Sequence, residues 1–352
     1  MKQASAKTLI SAIGMDLGDR RSRVCVVDHE GEVIDEGSID TTKAAIERRF
    51  GGLDPCRIVL ETGTHANWVH DLLVKLGHEV IVANARKVRA ISANERKCDE
   101  LDARMLARLG RADPRLLHGV RVRSEQARLD LVTVRARAEL VELRTSLTNS
   151  LRGLAKSSGH RLAKCSAQCL HKQPLHPELE PGLRHMMDVL EAVSKAISQY
   201  DKLLAAVAHK RYPQCALLRQ VVGVGPVSSL HFVLTVDDPR RFSDSRDVGA
   251  YFGLVPRRDQ SGARDPELGI SKAGERMGRT LLVQCAHHIL GRFGKDSDLR
   301  RFGKRLEASG GTRAKKRAVV ATARKLAVLL LALLRSGEAY EPLRNSAPAL
   351  VN

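Results

Sequence analysis

Four acidic residues in the first third of the chain sit where chemistry could use them. Asp16 interrupts the apolar run AIGMDLG, and Glu61 closes the strand-like RIVLE. Asp99 and Asp102 follow in KCDELDA at i,i+3 spacing, which puts both on one face of a helix. A carboxylate inside a strand is unfavourable unless it is paired or holds a metal ion. Carboxylates at strand ends, facing a pair on a helix, make the oxygen cage that two hard cations take for phosphodiester chemistry. Taken singly, each acid also fits a turn former or an ion-pair partner, and the DELD pair also fits a solvated face. Leu101, Met105 and Leu109 are expected on the buried side of that helix, with the aspartates pointing elsewhere.

A second constellation lies about 170 residues downstream, in GISKAGERMGRTLL from Gly269 to Leu282. A lone serine before a basic amphipathic helix is most often its N-cap. A capping box would put Glu or Gln three residues after Ser271, but that position is Gly274 and the glutamate comes one residue late. A helix start with Lys272 and Arg276 nearby is equally a seat for a phosphate, so the serine is also a candidate nucleophile. Upstream, LLRQVVGVGPVSSLHF reads as a helix-hairpin-helix-like junction. Its turn, Gly223–Val224–Gly225, would let backbone N–H groups face a phosphate. Cys165 and Cys169, near His171 and His176, hint at zinc, but two cysteines with irregular histidine spacing fit scattered reduced thiols better.

The elements that must position these groups follow from periodicity. Residues 12–18, 23–28 and 31–39 are short β-branched-rich runs separated by charged turns, like an antiparallel meander. A helix at 42–50, the strand RIVLE, the helix ANWVHDLLVKLG and the strand HEVIVAN follow, before the helix that carries DELD. This β-β-β-α-β-α-β order resembles a ribonuclease-H-like domain. From about Arg121 the pattern becomes long helix. Leu129, Val132, Ala136, Leu140, Leu143, Leu147, Leu151 and Leu154 form a heptad-type seam, and Leu190, Ile197 and Leu204 repeat at sevens on a second helix. Two such helices make a hairpin whose exposed seams invite a second copy.

Charge is distributed unevenly along the 352 residues. Residues 1–110 carry 17 basic and 17 acidic side chains, so the whole net charge of +19 lies beyond them. A basic region of that size points to a polyanionic partner. Aromatic residues make up only 3%, which argues for recognition of backbone and shape more than of stacked bases. The start of the chain has no signal-peptide pattern. The longest apolar run, Leu326–Leu334, is too short to span a bilayer, so a cytoplasmic protein without membrane contact is expected.

Together, GMDLGDRRSRVCVVD, VLETG, KCDELDA and GLVPRRDQSGARDPELGISKAGERMGRTLL resemble the DEDD-type transposases of bacterial insertion sequences, recombinases guided by a bridge RNA. The resemblance covers most of the chain. It implies an α/β plus α fold in three parts. These are an RNase H-like (RuvC-like) mixed-sheet domain over 1–115, a helical coiled-coil region over 116–212, and a mainly helical carboxy-terminal transposase domain over 213–352. It implies that Asp16, Glu61, Asp99 and Asp102 hold magnesium, and that Ser271 attacks a DNA phosphate to form a phosphoserine link. Gly223, Gly225, Lys272, Arg276 and Arg279 would contact nucleic acid. The implied partners are donor and target duplex DNA, a guide RNA, and further copies of the chain as a dimer assembling to a tetramer. The family more often has Asn or Asp after the glycine and an aromatic before the arginine, where this chain has Glu275 and Met277; Arg279 matches.

Other readings compete with this one. The DLGDRRSRVCVVD turn also resembles that of sugar-kinase and actin-like ATPases, but their second phosphate turn and adenosine-binding glycines are missing. A RuvC-like nuclease or junction resolvase would use the carboxylates with activated water and leave Ser271 as a cap. An architectural nucleic-acid-binding protein would need neither.

Overall fold

The computed structural model describes residues 10–84, 88, 99–258, 260–261, 268–311 and 313–345. The chain forms two compact units, Met1–Val122 and Arg123–Asn352. In the first unit the elements run β1 (Ala12–Asp16), β2 (Arg21–Val27), β3 (Val33–Asp40), α1 (Lys43–Phe50), β4 (Arg57–Glu61), α2 (Ala66–Lys75), β5 (Glu79–Ala83) and α3 (Asp99–Ala112). They build one mixed sheet in the order β3-β2-β1-β4-β5. The first three strands are antiparallel, and β4 and β5 continue parallel to β1.

Side-chain alternation along the strands gives the sheet two apolar faces. Ile13, Met15, Ile58 and Leu60 pack with Ile46, Phe50, Val69 and Leu73 of α1 and α2. On the opposite face Ala12, Cys25 and Val27 meet Ala103 and Ala107 of α3, and Val59 meets Leu106. The helix lies very close to the strands. A Cβ on Gly14 would stand 2.0 Å from the Ala103 carbonyl oxygen, and one on Gly110 would stand 2.4 Å from Val59. Only a stripe of small residues permits that approach.

The stripe corrects the expected orientation of α3. Leu101 is 41% exposed, whereas Asp102 is only 5% exposed and faces the sheet side. Met105 and Leu109 lie half-buried at the flank of the helix. Bulk that the sheet cannot admit is displaced sideways, and alanines take the contact. Arg104 fastens α3 to β3 through two bonds of 2.6 Å to Glu36. That hydrogen-bonded guanidinium also holds the Glu36 carboxyl below the usual range.

The second unit is helical: α4 (Glu125–Ser157), α5 (Glu180–Arg211), α6 (Gln214–Leu218), α7 (Pro226–Val236), α8 (Asp247–Tyr251), α9 (Arg276–Leu290), α10 (Asp298–Ala308) and α11 (Ala314–Ser336). Ala127, Leu131, Val134 and Leu204 share one core with Leu230, Leu234, Phe252, Leu282, Leu326 and Leu330. The base of the α4–α5 hairpin is therefore continuous with the carboxy-terminal helices. Leu190, Ile197 and Leu204 are buried, as their spacing predicted. The α4 seam behaves differently. Leu129, Val132, Leu143 and Leu154 are exposed, Leu151 is buried, and the helix instead packs through Leu131, Val134, Thr148 and Ala155. Thus α4 carries two apolar faces, one of them uncovered among the described residues.

Candidate functional site

In β1 and β4, Met15 stands opposite Leu60, so the next residue of each strand, Asp16 and Glu61, ends its strand at the same level. Alternation puts Asp16 on the face of Gly14 and Glu61 on the face of Val59, the side covered by α3. Gly110 lies by Val59 and Ala12, and Ala103 lies by Gly14. The helix therefore runs antiparallel to β1, and its first turn reaches the ends of the strands. Asp102, buried one turn before Leu106, is carried to where Asp16 and Glu61 finish. Arg23 confirms this register: it sits opposite Asp16 on β2 and pairs with Glu100 of α3 at 3.1 Å. Asp99 begins α3, and its side chain lies outside the described residues. Strand register and small-residue packing thus put Asp16, Glu61 and Asp102 at the same end of the sheet, on the side that α3 covers. Clustered carboxylate oxygens suit a hard divalent cation.

The segment around Ser271 is held along residues 251–257. Ser271 N–H donates to the Val255 carbonyl at 2.8 Å, Lys272 to Gly253 at 3.1 Å and Glu275 to Tyr251 at 3.1 Å. Lys272 adopts φ 53° and Gly274 φ 98°, so the strap turns sharply after the serine. A Cβ on Gly253 would lie 2.1 Å from the Ala273 carbonyl oxygen, which makes that glycine necessary for the close approach.

Ser271 does not cap the following helix. α9 begins at Arg276, and its N-cap is Glu275, whose carboxylate accepts from the Gly278 N–H. Glu275 Oε2 also lies 3.6 Å from Nε2 of His231, which is 1% exposed. Burial alone would raise the Glu275 carboxyl. The hydrogen bond and charge of His231, with the Gly278 N–H, outweigh it and hold the group below its ordinary value. Glu275 therefore fills the capping place, and Met277 packs against the core.

Ser271 lines a cavity of about 1040 Å³ together with Lys272, Arg257, Arg313, Lys316, Arg317 and Arg324. Leu254, Ile270, Phe302, Val320 and Val328 complete its walls, and no acidic side chain lines it among the described residues. The basic groups come from Lys272 of the serine strap, from Arg257 of the segment that holds it, and from Arg313 and α11 some forty residues further on. A half-buried hydroxyl in a cleft lined by cations suits an anionic substrate. The sequence announced these cations only as a basic run, TRAKKRAVVATARK, without saying which would face the serine.

The remaining expected contacts are spread out. Arg276 is exposed at the start of α9, whereas Arg279 donates to the Phe252 carbonyl at 3.0 Å and so secures the strap. Gly223 has φ 97°, and a Cβ there would stand 3.0 Å from Ile289, so its conformation serves contact with α9. Gly225 precedes α7, whose residues from Ser229 onward are buried. In the α4–α5 loop, Cys165 packs with Leu162 and Leu175, and Cys169 is exposed. The groups that meet there are His160, His176 and Glu178, with ligand atoms within 4.8 Å of one another.

Residues 13–158 match a family described as a DEDD transposase of IS110, and residues 215–302 match the transposase family IS116/IS110/IS902. The chain is 29% identical over 341 residues to the transposase of insertion sequence element IS1111A from Coxiella burnetii, covering 94% of this chain and 91% of that one. It is 28% identical to a Pseudomonas aeruginosa protein named as a family 20 transposase, over 95% of this chain and 99% of that one. A Sinorhizobium fredii protein named as transposase y4pF/y4sB shares 32% identity over 85% of this chain and 78% of its own.

Proposed function

Because the chain belongs to the IS110 family of DEDD transposases, we propose that it moves an insertion sequence by serine attack on DNA. In this reading Ser271 Oγ bonds to a DNA phosphorus as the bond from phosphorus to one deoxyribose oxygen breaks. The hydroxyl proton is lost to base or solvent, and the departing oxygen takes one up. The resulting phosphoserine keeps the energy of the phosphodiester, so a second DNA end can reverse the step and complete strand exchange. The observation that carries this reading is the release of Ser271 from capping: Glu275 caps α9, and the serine opens on a cationic cleft instead.

Asp16, Glu61, Asp99 and Asp102 would hold divalent magnesium, for which a set of carboxylate oxygens is suited. Bound there, such ions stabilise charge on the attacked phosphate and its leaving oxygen. Lys272, Arg276 and the cleft cations hold the DNA backbone, with Arg279 positioning the strap and Gly223 and Gly225 offering backbone N–H groups. Sequence choice is delegated to base pairing with a guide RNA, which the family resemblance and the large basic surplus support. The exposed α4 seam supports pairing of copies into a dimer and then a tetramer.

The competing reading is a metal-dependent nuclease that uses water and no serine. Replacing Ser271 by Ala separates the two. Loss of magnesium-dependent strand cutting with DNA binding intact supports serine attack; cutting that continues unchanged supports water. Sequencing RNA that co-purifies with the protein tests the guide.

A further inference from the structure

Phe293 is the only exposed aromatic side chain of the protein. All eleven Phe, Tyr and Trp residues are described, and the other ten are buried or half-buried while Phe293 is 65% exposed. It is also the most exposed of the large apolar side chains described. The turn that bears it is built firmly. Arg300 Nη1 donates to the Ile289 carbonyl and, at 2.7 Å, to that of Gly291. A Cβ on Gly294 would stand 1.9 Å from the Ile289 carbonyl oxygen, so only glycine allows this path. The backbone of the turn is therefore fixed, and it presents the ring outward.

Its surroundings are cationic. The His288 ring lies nearly parallel at 20°, with centroids 6.2 Å apart, and the Arg292 guanidinium stands 4.5 Å from the ring centroid. Arg292 and Lys295 are exposed, and the neighbouring acid, Asp296, is paired with Arg301 at 2.6 Å. Residues 291–296 are otherwise glycine or charged, so the apolar area is one ring. That is far short of the roughly 1,000 Å² a stable protein interface needs. A flat π-face between an imidazole and exposed cations matches the platforms on which unpaired bases stack while flanking charges meet the phosphates.

We propose that Phe293 is a stacking platform for an unpaired nucleobase, in DNA opened for strand exchange or in RNA. The inference rests on the nucleic-acid-binding reading above but names a different residue and a different contact. Arg292, being exposed, can leave the ring for a phosphate when a base takes its place. Stacking adds affinity for single strands that salt does not screen, unlike the phosphate contacts.

The test uses the full chain and three probes: an adenine-rich single-stranded DNA of twelve nucleotides with a central 2-aminopurine, its RNA counterpart, and the same DNA as a duplex. The wild-type protein is expected to quench the probe, and whichever strand shows it identifies the source of the base. Phe293→Ala should abolish the quenching and weaken single-strand binding roughly 5- to 100-fold. Duplex binding and the salt slope should stay unchanged, and Phe293→Trp should restore both quenching and affinity. Unchanged single-strand binding by Phe293→Ala would overturn the proposal while leaving nucleic-acid binding intact. A change of oligomeric state in that variant would also overturn it, since the ring would then be covered by a second copy. Wild-type protein that binds none of the probes would overturn both this inference and the reading on which it rests.

Discussion

Buried His231 and half-buried Glu275 form a pair, Nε2 to Oε2 3.6 Å, at the start of α9, four residues beyond Ser271. Glu275 spends its carboxylate on this histidine and on the Gly278 N–H, so the helix start is complete without the serine. The consequence is that the hydroxyl next to the cationic cleft has no capping duty, which leaves it available for the proposed attack.

Glu275→Ala should destabilise the second unit by about 1–3 kcal/mol, through loss of the cap and a buried imidazole left without its carboxylate. The pair also sets a pH dependence. The Glu275 carboxyl is held below its ordinary value, so its contribution is complete above the usual glutamate range and is lost as pH falls through the lower folded value. Thermal unfolding from pH 7 to pH 3 checks this: the wild type should lose its advantage over Glu275→Gln at the acid end. An advantage that grows on acidification would refute the assignment.

The place of Asp102 at the strand ends depends on the closeness of α3 to β1. Gly14→Ala would drive a Cβ into the Ala103 carbonyl and the Ala107 amide, and should cost about 3 kcal/mol or more. Gly37→Ala, in β3 of the same sheet with nothing within 4 Å of its Cβ, should stay within about 0.5 kcal/mol of wild type. Calorimetry of the two variants decides it, and equal melting temperatures would mean that α3 does not pack as described. Strand cutting should fall with Gly14→Ala even at temperatures where the variant is folded, because Asp102 is displaced.

The strands and their order were legible because β-branched runs between charged turns have few other readings. The face of α3 was not. A count of large apolar residues favours Leu101, Met105 and Leu109, yet the sheet selects Ala103, Ala107 and Gly110 because β1 offers a glycine there. The α4 seam was found as a pattern, but its partner was not, since a helix with two apolar faces does not say which one its own chain will cover. The serine cleft was illegible for a topological reason: its cations come from a strap, the segment that holds it and a distant helix, which only the fold brings together. The same holds for His160, His176 and Glu178, which close an irregular loop that shows no periodicity.

The cleft predicts a salt signature. Lys316→Ala and Arg317→Ala should each lower duplex affinity across all sequences alike. The slope of log K against log salt should become shallower by about 0.9 for every phosphate that the variant no longer neutralises. Fluorescence anisotropy over a salt series measures this, and an unchanged slope in both variants would remove the cleft from the DNA path.

The uncovered face of α4 predicts assembly. Val132→Glu with Leu143→Glu alters two exposed positions, so the helix should stay folded while the larger species dissociate. Light scattering should report a lower mass than wild type at equal concentration. An unaltered mass would place the oligomer contact elsewhere.

The central claim, that Ser271 is the nucleophile, is tested most directly by trapping the protein on cleaved DNA. The protein is incubated with magnesium and DNA carrying the ends of its element, denatured, digested with protease and nuclease, and analysed by mass spectrometry. The account predicts a nucleotide adduct on the peptide GISKAGER, located on Ser271 and missing in Ser271→Ala and in Asp102→Asn. Efficient strand cutting with free phosphate ends and no adduct on any serine would contradict it.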